Sequence, residues 1–285
     1  MLKNYIGIIL LAILVVGIAV PAGFTAQSEK IVVTYGETTY NSPQYKSVVD
    51  AFFNSESNID VNKIESKIIT ANEVNKVAST ITHKTYNSNQ IYSSALVDLS
   101  EQGNIKVTTD TSKITTITSD MYISALKSAG IRHGHVYVTS PIPATGESAL
   151  AGIMNSYEEA TNVAIPDTVK EAANDEIYTE AEIVENDNVS AEQLTNLVDD
   201  VKQTVETENI TDHSTIVNII YNYTVNNNID MTNSSIENLA TSIEGVQSVQ
   251  GDVQSYTTQV NEIVGNNTTG FSLDGLLNMI TSKFQ

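Results

Sequence analysis

The sequence predicts an α+β protein: an N-terminal α/β sandwich with a mixed sheet, followed by an acidic all-helical domain. Three observations predict it. Strand-like and helix-like patterns alternate from Lys30 to about Asn162, the mark of strands packed under helices. After Pro166 no strand pattern is found, and apolar residues recur at steps of three and four. Charge divides along the same line. Residues 1–150 hold 12 acidic and 11 basic side chains, whereas residues 151–285 hold 22 and 3. The expected segments are 1–26, a signal peptide or uncleaved signal anchor; 27–165, the α/β domain; and 166–285, the acidic helical domain.

The leader comes first. Lys3 precedes Tyr5–Val20, sixteen residues without a charge, and the first acidic residue is Glu29. A basic start, an apolar run and a small-residue exit form an export signal. The bulk of the chain is therefore expected outside the cytoplasm, secreted or membrane-anchored. Two fates stay open. Cleavage after Ala26 leaves bulky Phe24 at a position that prefers a small residue, and cleavage after Ala22 lies tight against the apolar run. Counting from Tyr5 through Phe24 gives 20 residues without a charge, about the length of a membrane-spanning helix.

In the α/β segment, Ile31–Tyr35 is β-branched, ends at Gly36 and reads as a strand. Tyr45, Val48, Val49, Phe52 and Phe53 form one helical face, with Asn41 or Ser42 as cap and Pro43 in the first turn. Ala71–Thr80 reads as a weaker helix with Glu73 in its first turn. Ile91–Leu99 and Ile105–Thr109 read as a hairpin around Glu101–Asn104. Ser119 caps a helix with Tyr122, Ala125, Leu126 and Ala129 on its apolar face, which Gly130 stops. His135–Thr139 is a further strand. A loop with two prolines then leads into a helix bearing Leu150, Ile153, Met154 and Tyr157, with Thr145 or Gly146 as N-cap and Glu147 as a first-turn charge.

In the helical segment, Leu194, Leu197, Val198, Val201 and Val205 line one helix, and Ile216, Ile219, Ile220 and Tyr223 line another. From Ile236 to Ile263 the apolar steps read as one long helix, weakened by Gly245 and Gly251. Phe271–Phe284 is short and amphipathic, suited to docking on the helical domain.

The stretch Ile91–Glu159 contains IYSSALVDL, ITTITSDMYISALKSAGI and HVYVTSPIPATGESALAGIMNSYEE. It resembles the YpuA-like secreted proteins, catalogued as domain of unknown function 1002. Thr118, Met121, Tyr122, Ala125, Leu126, Ala129 and Gly130 carry the resemblance, followed by Val136–Thr139, then Gly146, Ala149, Leu150 and Gly152. It implies an exported or surface-associated protein with no assigned activity, so no functional residue transfers. These positions are mostly apolar or glycine, as in a fold signature.

Composition narrows the chemistry. With no cysteine, disulfides, thiolate metal sites and thiol catalysis are excluded. A net charge of −20 repels nucleic acid and favours cationic partners. Gly146-Glu147-Ser148 lacks the second glycine of a nucleophile elbow, since Leu150 stands there. His133 and His135 can share a strand face, but no third ligand accompanies them. The acidic pairs lack calcium-loop spacing. No catalytic, cofactor or metal residue is assigned. Six Asn-x-Ser/Thr sequons, at Asn188, Asn209, Asn222, Asn233, Asn266 and Asn267, all lie in the acidic half. They are either glycan acceptors on a solvent-facing surface or products of an Asn/Ser/Thr-rich composition. Tyr223 is expected to be buried and to block Asn222.

Two functions follow. One is a non-enzymatic interaction module whose partner is a cell-envelope component or another surface protein, with membrane contact through the leader if it is retained. The other is an extracytoplasmic hydrolase acting on envelope material. A cleft in the α/β domain with two carboxylates, one of raised pKa, favours the second.

Overall fold

The computed structural model describes residues 31–267 apart from 79 and 102. The leader and the Phe271–Phe284 segment lie outside the described residues.

The chain builds a five-stranded mixed sheet and then a set of helices. Strand β1 (Ile31–Gly36) pairs in parallel with β2 (Ser66–Ile69) and antiparallel with β3 (Ser94–Asp98). Strand β5 (His135–Thr139) runs antiparallel to β3 and parallel to β4 (Lys106–Thr109). The spatial order is β2-β1-β3-β5-β4.

This order corrects the expected hairpin. β3 and β4 are not neighbours, because β5 lies between them. The reason is burial. Val136, Tyr137, Val138 and Thr139 are all buried, whereas every residue of β4 is half-buried or exposed. A strand apolar on both faces belongs in the middle of a sheet covered on both sides, and the more polar strand takes the edge.

Helix α1 (Glu37–Tyr40) is a single turn; α2 (Pro43–Ser57) covers one sheet face. Ser42 caps α2 by accepting from Tyr45 N–H at 3.3 Å, with Pro43 at the first helical position. Its Val49 and Phe53 pack on Val33, Tyr35, Leu96 and Tyr137. Lys46 and Asp50 pin the Tyr35 hydroxyl from the same helix. Helix α3 (Ala71–Lys76) starts in a Thr70–Glu73 capping box.

The other face carries α4 (Ser119–Ser128) and α5 (Ala149–Thr161). Thr118, one residue before the expected Ser119, caps α4, and Gly130 ends it at φ 76°. Tyr122, Ala125, Leu126 and Ala129 enter the main core with Leu150, Ile153 and Met154.

Five helices follow: α6 (Asp167–Asn186), α7 (Ala191–Glu208), α8 (His213–Asn227), α9 (Asn233–Ser248) and α10 (Gln250–Asn267). The expected long helix from Ile236 is therefore two, broken at Val249 between Gly245 and Gly251. The two cores share α6. Val169, Ala173, Ile177 and Ala181 pack with α4 and α5, while Ile183 packs with α7, α8 and α9. Val253 and Tyr256 of α10 also enter the first core, so that core extends beyond residue 165. Among the described residues no helix is long and apolar enough to cross a membrane.

Candidate functional site

Among the described residues, two buried carboxylate centres and a surface groove are the places to weigh as a site. The first centre lies where α4, α6 and α7 meet. Glu176 and Glu180 stand one turn apart on α6 and thus share a face. Both are fully buried. Ser124 and Ser128 face them from α4, and Asp199 and Lys202 from α7. The Lys202 ammonium donates to Glu176 Oε1 at 2.6 Å, Ser124 Oγ at 2.9 Å and Ser128 Oγ at 2.8 Å. Ser128 Oγ donates to Glu176 Oε2 at 2.5 Å, and Ser124 Oγ to Asp199 Oδ1 at 2.8 Å.

Glu180 has no such support. Neither carboxyl oxygen has a hydrogen-bond partner among the described residues. Burial, and secondly the charge of Glu176, push its pKa well above the carboxylate range against the pull of Lys202. Glu180 thus has the chemistry of an acid, but among the described residues it and Glu176 are fully buried beneath α7.

A pH dependence follows. The groups bearing on Glu180 are Glu176, Lys202 and Asp199. Unfolded, a glutamic acid ionises near pH ~4.3; folded, Glu180 keeps its proton. Its contribution is therefore fully present below that pH and declines as pH rises toward the folded pKa. Glu180→Gln is expected to flatten this decline in urea-midpoint measurements from pH 4 upward. Parallel wild-type and variant curves refute a protonated Glu180.

The second centre is Glu147, which the sequence places as a first-turn charge. Instead α5 begins at Ala149, Ser148 stands at the cap without a side-chain bond, and Glu147 is fully buried. Its Oε1 accepts from Lys84 and from the Tyr86 hydroxyl at 3.0 Å. Gly146 makes the turn possible. It sits at φ 113°, and a Cβ there would come within 2.6 Å of Ile114 and 2.8 Å of the Tyr122 hydroxyl. Burial, then Tyr178 and Glu147, raise the pKa of the Tyr86 hydroxyl. These contacts fix a turn against α6 and expose no nucleophile.

The two histidines diverge. His133 Nδ1 lies 2.7 Å from Gly103 O. His135 contacts Thr108 Oγ1 at 2.8 Å and Glu101 Oε1 at 3.1 Å, and stacks on Tyr137. Among the described residues no three His, Asp or Glu side chains gather as a metal site.

The groove, of about 480 Å³, runs between α7 and α8. Asp200, Thr204, Thr207, Glu208, Ile219 and Tyr223 line it. The Tyr223 hydroxyl donates to Asp200 Oδ2 at 2.9 Å. Burial, and secondly this bond, raise the Tyr223 pKa. Tyr221 and Val225 lie on the other flank of α8, about 200° around the helix from Ile219 and Tyr223, and are 52% and 58% exposed. They stand four residues apart, on one outward stripe.

The sequons fall around this region. Asn188, Asn209, Asn222 and Asn233 are all exposed. At Asn222 the neighbouring Tyr223 is half-buried, not buried, and Thr224 is the buried member. Asn266 and Asn267 close α10, and their side chains lie outside the description.

A profile of the family described as "Protein of unknown function (DUF1002)" matches residues 35–263. The uncharacterized protein YpuA of Bacillus subtilis (strain 168) is 36% identical over 94 residues, 33% of this chain and 32% of that protein. The matched stretch thus spans about a third of that relative's length. No solved structure matches.

Proposed function

The chain belongs to the DUF1002 family of proteins of unknown function, and from that premise we propose that it is an exported interaction module of the cell envelope, non-enzymatic, binding through the exposed stripe of α8. The observation that carries this reading is the exposed apolar stripe of Tyr221 and Val225 on α8 of the acidic half, with an acidic groove on the other flank of the same helix. Tyr221 and Val225 supply the apolar contact that a binding surface needs. Asp200 and Glu208 line the groove on the other flank of α8. A half with 22 acidic and 3 basic residues selects a positively charged envelope component and repels anionic ones. The export signal in Met1–Ala26 supports delivery outside the membrane. The hydrolase alternative needs an acid open to substrate, and the acid of raised pKa lies under α7.

Cosedimentation of purified residues 27–285 with isolated envelope tests the proposal. Binding is expected to weaken steeply when salt shortens the screening length from about 10 Å toward about 3 Å. Tyr221→Ala with Val225→Ala is expected to weaken it at least about tenfold, or about 1.4 kcal/mol. Binding indifferent to both salt and the double variant refutes the face.

A further inference from the structure

We propose that Asn188 and Asn209 are N-glycan acceptors while Asn222 and Asn233 stay bare, so that two glycans stand at the ends of α7 and leave the exposed stripe of α8 clear. The proposal rests on the export reading above, since the modification belongs to an exported chain.

The acceptor reaction sets the geometry. The Asn side-chain nitrogen attacks the anomeric carbon of a lipid-phosphate-linked oligosaccharide. The N–C bond forms, the C–O bond to phosphate breaks, the lipid phosphate leaves, and the amide proton passes to base. The enzyme must hold the Asn and the hydroxyl two residues on together, so both must be presented from non-helical chain.

The four described sequons differ in this respect. Asn188-Val189-Ser190 lies between α6 and α7, with Asn188 bridged to Asp230 and Ser190 extended at φ −75°, ψ 149°, its hydroxyl capping α7 by accepting from Gln193 N–H at 3.2 Å and donating to Gln193 Oε1 at 3.0 Å, outside the helix itself. Alternation along extended chain turns Val189 inward and leaves Asn188 and Ser190 on the solvent side; Val189 is buried and both partners are exposed. Asn209-Ile210-Thr211 lies between α7 and α8. Asn209 is left-handed at φ 52° and ends α7, and both Asn209 and Thr211 are exposed.

The other two are held in helices. Asn222 is mid-way along α8. Its partner Thr224 is 4% exposed, and the Thr224 hydroxyl donates to Tyr221 O at 2.8 Å. Asn233 is the first residue of α9, and its partner Ser235 is half-buried in the cap, with Ser235 N–H donating to Thr232 Oγ1 at 3.1 Å. Presenting either sequon requires unwinding a helix.

The arrangement bears on the binding face. Helix α7 has 18 residues, a length of about 27 Å, with one acceptor just beyond each end. Asn209 follows Thr207 and Glu208 of the groove directly. A glycan on Asn222 would instead stand beside Tyr221 and cover the stripe.

The test is glycopeptide mapping by mass spectrometry of the full chain from its producing cells, separated into cytoplasmic and extracytoplasmic fractions. The expected result is a glycan on Asn188 and on Asn209 in extracytoplasmic protein. Asn188→Gln and Asn209→Gln each remove one glycan mass, and Asn222→Gln and Asn233→Gln remove none. Extracytoplasmic protein with bare Asn188 and Asn209, or with glycan on Asn222 or Asn233, overturns the proposal and leaves export standing. Protein confined to the cytoplasmic fraction overturns export, and this proposal with it.

Discussion

Lys202→Met is expected to destabilise the protein by about 3–5 kcal/mol at neutral pH, the cost of leaving a buried carboxylate without its counter-charge. Lys202 is the ammonium that reaches Glu176, and it also bonds both serines of α4. Methionine keeps most of the volume, so the loss reads the charge and not a cavity. Urea denaturation at neutral pH measures it. A loss below about 1 kcal/mol at neutral pH means that the centre is open to water, and the argument for a sealed acid pair fails.

Leu197→Ala is expected to cost about 2–5 kcal/mol and to lower the whole melting transition, not a part of it. Leu197 is fully buried in the second core. That core shares α6 with the first, so loosening one removes support from the other. For a chain of this size each kcal/mol shifts the midpoint by about 2–4 °C. Calorimetry is expected to show one transition moved down. Two transitions, with one at the wild-type midpoint, contradict coupling through α6.

The elements that were legible in the sequence are those whose buried face is apolar. α2, α4, α7 and α8 announce themselves through Val49 and Phe53, Tyr122 and Leu126, Leu197 and Val201, and Ile216 and Ile220. α6 gave no such pattern, although it joins both cores. Its inward face carries Asn174, Glu176, Thr179 and Glu180, all buried. Periodicity counts such residues as solvent-facing, because buried charge is rare unless a partner exists. The partner, Lys202, lies 26 residues from Glu176 and on a different helix. The same blindness hid Glu147, whose partner Lys84 lies 63 residues away.

The strand order is not legible in the sequence for a different reason. Ile91–Thr109 has the local signals of a hairpin, and local signals do not report that a later strand takes the place between. The fully apolar character of Val136–Val138 was the available signal. The groove had no sequence signature, since it arises from two helices that each bury a conventional apolar face. The sequons could be counted in the sequence, but their separation into extended and helical sites required the fold.

The central claim is that the exposed stripe of α8 meets a partner outside the membrane. Site-specific photo-crosslinking in intact producing cells tests it most directly. A photoreactive side chain would replace Tyr221 in the full chain, with exposed Gln44 of α2 as the control position. The account predicts one discrete crosslinked product from position 221, formed with a basic envelope component and absent from position 44. No product at 221, or the same products from both positions, would contradict it.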